Sequence, residues 1–238
     1  MHKFYIVGAG PGAPDLITVR GMDLLRRADV LIYAGSLVNP ALVAESGAKV
    51  KLDSWGMSLP EIVDAIEEHV RAGRLVVRLH SGDPSLYGAI VEQMAELERR
   101  GIEAEIVPGV SSLFAAAAAL KTQLTLRGVS EGLVVTRPAG ATLEEDLIPE
   151  LSRLEQTMVV FLGTERMEEV LARVECPPET PAAVVYHASW PDQKVIRGTV
   201  ADIAAKAREA GIERTALIII GKAVVGAASG YGRSVLYS

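Results

Sequence analysis

Residues 79–88 read LHSGDPSLYG and set a histidine, an acid, a proline and two glycines in one bend, directly after the apolar run LVVR. A glycine-rich bend at a strand end lets the backbone approach a ligand closely and turns its N–H groups toward it. The chemistry on offer is hydrogen bonding to a small molecule. Two other stretches have the same character, FYIVGAGPGAP at 4–14 and VPGVSS at 107–112. In the second of them Ser111 and Ser112 also suit the N-cap of a helix over SLFAAAAAL.

The first stretch formally fits the dinucleotide fingerprint G-x-G-x-x-G/A through Gly8, Gly10 and Ala13. Three features oppose that reading. Pro11 has no N–H to aim at a pyrophosphate, and Pro14 disfavours helical geometry at Ala13, so the helix is expected to start later, near Asp15. The second strand, DVLIYA, runs into Ala34 and Gly35 instead of an acid for the ribose hydroxyls. An NAD-dependent oxidoreductase is therefore an alternative only. The lysine-containing phosphate loop, H-E-x-x-H and paired cysteines are all absent, and histidines 2, 69, 80 and 187 lack metal-ligand spacing, so no metal is expected. His80 and His187 each stand near the end of a predicted strand, where ligand-facing residues gather.

The scaffold behind these loops is an α/β one. The 238 residues, 49% of them hydrophobic and 23% charged, suffice for one broad core or two modest ones. A net charge of -6 and only 5% aromatic residues argue against a nucleic-acid partner. No apolar stretch reaches bilayer length, the opening run is too short for a signal-peptide core, and Cys176 stands alone, so a soluble cytoplasmic protein is expected with no membrane partner.

Strands at FYIVG, DVLIYA, KVKLD, LVVRLHS and EIVPG alternate with helices predicted over 15–28, 40–46, 60–72, 85–100 and 112–121, the rhythm of a mostly parallel sheet. In the helix 60–72, Ile62, Ile66 and Val70 form one stripe, and Gly73 is the expected stop. The polar stretch TQLTLRGVSE at 122–131 reads as a link, giving domains 1–121 and 122–238. Strands GLVVTR, TMVVFLG, PAAVVYHA, KVIRGTV and TALIIIG follow, with helices at 144–154, 165–174 and 200–210. The short SWPDQ connection predicts a hairpin, hence a mixed second sheet.

The ordered series VGAGPGAPDLIT, GDPSLYG, VPGVSS, TMVVFLG and TALIIIG resembles the tetrapyrrole methylases over nearly the whole chain. The resemblance implies two α/β domains with S-adenosyl-L-methionine held in a cleft between them, S-adenosylhomocysteine as product, a precorrin-type tetrapyrrole substrate and a homodimer. It implies cofactor binding by Pro11, Ser81, Gly82, Asp83, Leu86, Ser111 and Ser112, and by Leu162, Ala188, Thr215 and Ala216 from the other half. For Leu162 and Ala216 ordinary core packing is the competing reading. Members that methylate uroporphyrinogen carry an acid in a YDRLVS-like segment and a lysine in a GKR-like one. Here YAGSLVNP has Ala34 in place of the acid, and no lysine follows Asp53 in LDSWGMSLPE.

YAGSLVNP, TRPAG and YHASWPDQ are instead similar to members that methylate carbon 11 of precorrin-4 or its cobalt complex in cobalamin biosynthesis. Ala13 departs from the aspartate usual in the family. Arginines are expected to hold the substrate carboxylates, Arg127 and Arg137 first. No general base is assigned; Asp15, Tyr33 and His80 are the candidates. Another precorrin methylase, a diphthine synthase and a non-catalytic nucleotide-binding regulator remain alternatives.

Overall fold

The computed structural model describes residues 3–35 and 37–233; His2 and Ser36 of the segments above lie outside them. The chain divides into two compact units, residues 1–112 and 113–238. In the first, strands β1 (Lys3–Gly8), β2 (Val30–Tyr33), β3 (Val50–Asp53), β4 (Val76–His80) and β5 (Glu103–Val107) form one parallel sheet in the order β3-β2-β4-β1-β5. Helices α1 (Val19–Arg27), α2 (Pro40–Glu45), α3 (Leu59–Arg71) and α4 (Ile90–Arg99) connect the strands.

The period of two along each strand sorts side chains onto two faces. Val7, Leu31, Val77 and Leu79 pack with Leu24 and Leu25 of α1 and Leu42 of α2. Phe4, Ile6, Ile32 and Val76 pack with Ile62 and Ile66 of α3 and Ile90 and Leu97 of α4. A Ser58–Glu61 capping box starts α3, and Gly73, at φ +76°, follows its end.

The second unit holds all but the first residue of α5 (Ser112–Ala119) and strands β6 (Leu133–Thr136), β7 (Thr157–Val160), β8 (Pro181–Tyr186), β9 (Lys194–Thr199) and β10 (Ala216–Ile220), in the order β6-β7-β10-β8-β9. The β6–β7 pair is parallel and the other pairs antiparallel, so the sheet is mixed as the hairpin reading required. Helices α6 (Ile148–Ser152), α7 (Met167–Ala172) and α8 (Ile203–Glu209) cover the face built on Met158, Val184 and Ile218.

Several helices start later than their sequence pattern predicts. α1 begins at Val19 instead of residue 15: residues 14–16 make a single 3-10 turn, Ile17 is extended, and the Thr18 side chain then supplies the cap by accepting from Gly21 N–H at 3.1 Å. α4 begins at Ile90 instead of residue 85, because Tyr87 (φ 57°) and Ala89 (φ 48°) are left-handed. α6 begins at Ile148 instead of residue 144, where Asp146 accepts from the N–H groups of Ala139 and Ile148 and keeps the segment before it in a loop.

Candidate functional site

β1 and β4 are neighbours, yet the helix after β1 packs on one face of the sheet and the helix after β4 on the other. In open α/β sheets of this kind ligands bind outside the carboxyl ends of the strands, at such a switch in direction. The first and second glycine stretches are the loops that follow these two strands. They are cross-linked by Gly10 N–H to Gly82 O at 3.2 Å, Gly82 N–H to Gly10 O at 2.9 Å and Ala9 N–H to His80 O at 2.7 Å. The VPG loop after β5 joins them through Gly109 N–H, which donates to Asp83 Oδ2 at 2.8 Å.

A Cβ on Gly109 would stand 2.2 Å from Gly82 O, and one on Gly8 would stand 2.6 Å from Gly109 Cα. Those glycines are needed so that the three loops can touch. Gly82 differs: a Cβ there would meet only Ser111 Cα at 3.7 Å and Ser112 N at 3.9 Å, ordinary contacts, and it is the φ of +61° that favours glycine.

The structure thus brings Pro11, Ser81, Gly82, Asp83, Ser111 and Ser112 to one end of the first sheet. Leu86 follows in the same loop, its N–H donating to Asp83 O at 3.2 Å. Asp83 Oδ1 accepts from Ser85 N–H at 2.8 Å and from the Ser85 hydroxyl. Burial pushes the Asp83 pKa up, but the hydrogen bonds from Ser85 and Gly109 outweigh it and hold the carboxyl below its ordinary value.

Of the three candidate bases, Asp15 is exposed and Tyr33 half-buried. His80 turns both ring nitrogens to carbonyls, Nδ1 to Ser81 O at 3.3 Å and Nε2 to Gly88 O at 3.1 Å. A neutral imidazole has one N–H and can donate to only one of them. In this structure the His80 ring pins the loop it precedes.

In the second unit, Leu162, Ala188, Thr215 and Ala216 also come together. They sit past the ends of β7 and β8 and at the start of β10, which is antiparallel to both. His187 N–H donates to Thr215 O at 3.3 Å and the Thr164 hydroxyl to Ala216 O at 2.8 Å. Ala188 and Ala216 are buried, whereas Leu162 is 66% exposed. Leu162, His187 and Thr215 all hold φ between 45° and 57°. Strain of this kind, a β-branched residue included, gathers at ligand sites.

The His187 ring stacks on Tyr186 at 3.8 Å with Nδ1 at 3.0 Å from both Asp192 oxygens, and the hydrogen bond from His187 lowers the Asp192 pKa. Arg137 follows β6 at this same end and donates to the Thr142 hydroxyl at 2.6 Å and the Thr142 carbonyl at 3.0 Å. Arg127 is not brought there. Its guanidinium donates to Arg233 O at 2.9 Å, and its segment leads into Ser130, which accepts from Thr157 N–H at the opposite end of β7.

One buried charged side chain escaped the sequence reading. Arg78, in the middle of β4 between Ile6 and Ile32, is 8% exposed, and its Nε and Nη1 have no hydrogen-bond partner. Burial lowers its pKa. The only signal in the sequence was a single charge inside a strand that is otherwise apolar.

The donor set fits the cofactor that the resemblance implies. None of the three loops of the first unit carries Lys or Arg; they offer backbone groups, hydroxyls and two carboxyl groups, Asp15 and Asp83. That set suits an ammonium, ribose hydroxyls and an adenine, and it brings no cationic side chain to pair with a phosphate. Among the described residues no group of three or more His, Cys, Asp or Glu stands together to hold a metal ion, and no helix is long and apolar enough to cross a membrane.

A two-unit α/β protein with hydrogen-bonded, glycine-rich loops at the strand ends of its first sheet is what the fold and the site define. The family model of tetrapyrrole (corrin/porphyrin) methylases matches residues 3–204, and the chain belongs to that family. It is 49% identical over 227 residues to the cobalt-precorrin-4 C(11)-methyltransferase of Methanocaldococcus jannaschii, covering 93% of this chain and 88% of that one. Its identity to the precorrin-4 C(11)-methyltransferase of Mycobacterium tuberculosis is 46% over 243 residues, covering 98% and 95%.

Among solved structures, the X-ray structure of a cobalamin biosynthetic enzyme, cobalt precorrin-4 methyltransferase, matches with a TM-score of 0.90 at 43% identity, covering 94% of this chain and 96% of that one. The uroporphyrin-III C-methyltransferase of Thermus thermophilus complexed with S-adenosyl homocysteine matches with a TM-score of 0.76 at 31% identity, covering 93% of each.

Proposed function

We propose that this chain transfers a methyl group from S-adenosylmethionine to carbon 11 of precorrin-4 or cobalt-precorrin-4 in cobalamin biosynthesis. The observation that carries the reading is the set of cation-free loops at the switch between β1 and β4, in a chain so similar to proteins named for that reaction. The cofactor supplies a methyl group on a sulfonium, which a nucleophilic ring carbon takes while the sulfur keeps the bonding electrons.

The chain's own residues bind and orient. Asp83, kept ionised, attracts an ammonium, and Pro11, Ser81, Gly82, Leu86, Ser111 and Ser112 surround it with backbone and hydroxyl groups. Leu162, Ala188, Thr215 and Ala216 are proposed as the second-unit residues for the same cofactor. Arg78, a buried cation without a counter-charge, is assigned with Arg137 to the carboxylates of the substrate. Asp53 does not replace the acid missing at Ala34, because its Oδ1 accepts from the N–H groups of Gly35 at 3.0 Å and Trp55 at 2.9 Å. Orientation and exclusion of water, more than proton transfer, then account for the rate.

The protein is further proposed to work as a cytoplasmic homodimer without a nucleic-acid or membrane partner; exposed Phe114, Leu147 and Leu154 support a covered surface. The test is incubation with labelled S-adenosylmethionine and precorrin-4, cobalt-precorrin-4 or uroporphyrinogen III. Labelling of either precorrin at carbon 11 is expected, and efficient labelling of uroporphyrinogen III with neither precorrin labelled would overturn the assignment. Thermal stabilisation by S-adenosylhomocysteine and not by NAD tests the cofactor separately.

A further inference from the structure

Trp55 is 73% exposed and Leu37 is 49% exposed, and both follow strand ends at the same edge of the first sheet as the glycine crevice. An indole held in place and this exposed offers a flat apolar face to whatever binds at this end of the sheet. The loop is fixed. Asp53 Oδ1 accepts from Gly35 N–H at 3.0 Å and from Trp55 N–H at 2.9 Å, so one carboxylate ties the loop after β2 to the loop after β3. Ser54 N–H adds a bond to Tyr33 O at 2.7 Å. A Cβ on Gly35 would stand 2.5 Å from Asp53 Oδ2, so the tie requires glycine there. Asn39 Nδ2 then donates to Gly12 O at 2.9 Å and links this pair of loops to the glycine stretch whose Gly10 is bonded to Gly82. The exposed indole is therefore continuous, through hydrogen-bonded backbone, with the crevice assigned to the cofactor.

The chemistry of this corner is mostly apolar, with Asp53 its one acidic side chain. No Lys, Arg, Asp or Glu lies from residue 30 to 44 or from 54 to 60, and Asp53 is occupied by the two backbone N–H groups. A polycarboxylate cannot be gripped there by its side chains, whereas the flat apolar face of a macrocycle can lie on an indole and a leucine.

We propose that Trp55, together with Leu37 of the loop tied to its own through Asp53, is a seat for the ring face of the tetrapyrrole and a determinant of which tetrapyrrole is accepted. The proposal rests on the substrate reading given above.

The test is steady-state methylation of precorrin-4 at saturating S-adenosylmethionine by Trp55→Ala, Trp55→Leu, Trp55→Phe and Leu37→Ala, with calorimetry of S-adenosylhomocysteine and sedimentation on each. An aromatic contact of this kind is worth roughly one decade in affinity. Trp55→Ala and Trp55→Leu are expected to raise the KM for precorrin-4 about tenfold, Leu37→Ala about threefold, and Trp55→Phe by less than about threefold. Affinity for S-adenosylhomocysteine stays unchanged in all four. A wild-type KM and kcat in both Trp55→Ala and Trp55→Leu would overturn the seat. So would variants that dissociate a dimer while keeping the wild-type KM, since the indole would then face a second copy of the chain. Should the wild-type protein methylate a different tetrapyrrole and ignore precorrin-4, the substrate reading falls, and the KM of the same variants for that other tetrapyrrole decides the seat.

Discussion

Gly109→Ala isolates the contact of the three loops that build the crevice. The added Cβ would stand 2.2 Å from Gly82 O and 2.8 Å from Gly8 Cα, all of it backbone that no rotamer change can move. A carbon and a carbonyl oxygen rest at roughly 3.3 Å, so the loops must part by about 1 Å. Overpacking of this size costs about 1–3 kcal/mol. The same displacement weakens the bond from Gly109 N–H to Asp83 and the Gly10–Gly82 pair, at about 1 kcal/mol for each bond lost. The expected loss is about 3–5 kcal/mol in urea unfolding, with S-adenosylhomocysteine affinity down at least tenfold by calorimetry. Gly73→Ala is the control. At φ +76° with nothing within 4 Å of its missing Cβ, it carries only left-handed strain, roughly 1–2 kcal/mol, and leaves affinity intact. An affinity for Gly109→Ala within threefold of wild type, with less than about 1 kcal/mol lost, would refute the reasoning.

Other outcomes follow from single groups. Asp146, with a side chain 1% exposed, accepts from Ala139 and Ile148 N–H and from both Nη atoms of the half-exposed Arg173 at 2.8 Å, so Asp146→Ala is expected to cost about 2–3 kcal/mol in urea unfolding, mostly from the two backbone bonds. Burial raises its pKa, but the Arg173 and backbone bonds outweigh this and hold it below the ordinary value of about 3.9. Its stabilisation is therefore full above that ordinary value and is lost as pH falls through the lower folded one, which acid unfolding of wild type and Asp146→Ala will show as a difference that closes at low pH. Arg78→Met removes a buried guanidinium that has no counter-charge, so the ligand-free melting temperature should hold or rise while the KM for precorrin-4 rises at least tenfold. A lower melting temperature with unchanged KM would make Arg78 structural.

Much of the framework was legible because β-branched runs and helical stripes are local patterns. All ten strands among the described residues coincide with runs such as LVVRLHS and TALIIIG, and α3 starts and stops within a residue of its reading. What failed was set by contacts distant in sequence or by backbone states that composition does not announce. The left-handed Tyr87 and Ala89 push the start of α4 to Ile90, a conformation neither residue type favours. The glycines of the three loops were visible, but not that Gly8 and Gly109 serve each other. Arg127 was placed by its position at a link, yet the fold turns it to the far end of the second sheet. Arg78 was hidden because a strand that reads as core conceals the one residue in it that is not.

The position of β10 governs how this protein must be made. It is the last strand among the described residues, yet it lies in the middle of its sheet, bonded to β7 on one side and β8 on the other. The first unit is assembled from consecutive strand–helix–strand pieces and can be completed while translation continues. The second cannot: until residues 216–220 emerge, β7 and β8 each present an unpaired edge flanked by apolar side chains, open to pairing with other chains. The nascent chain is thus half finished and sticky for most of the synthesis of its second half. A chain that stops before Ile220 is therefore expected to aggregate through these two edges, where one that includes β10 does not.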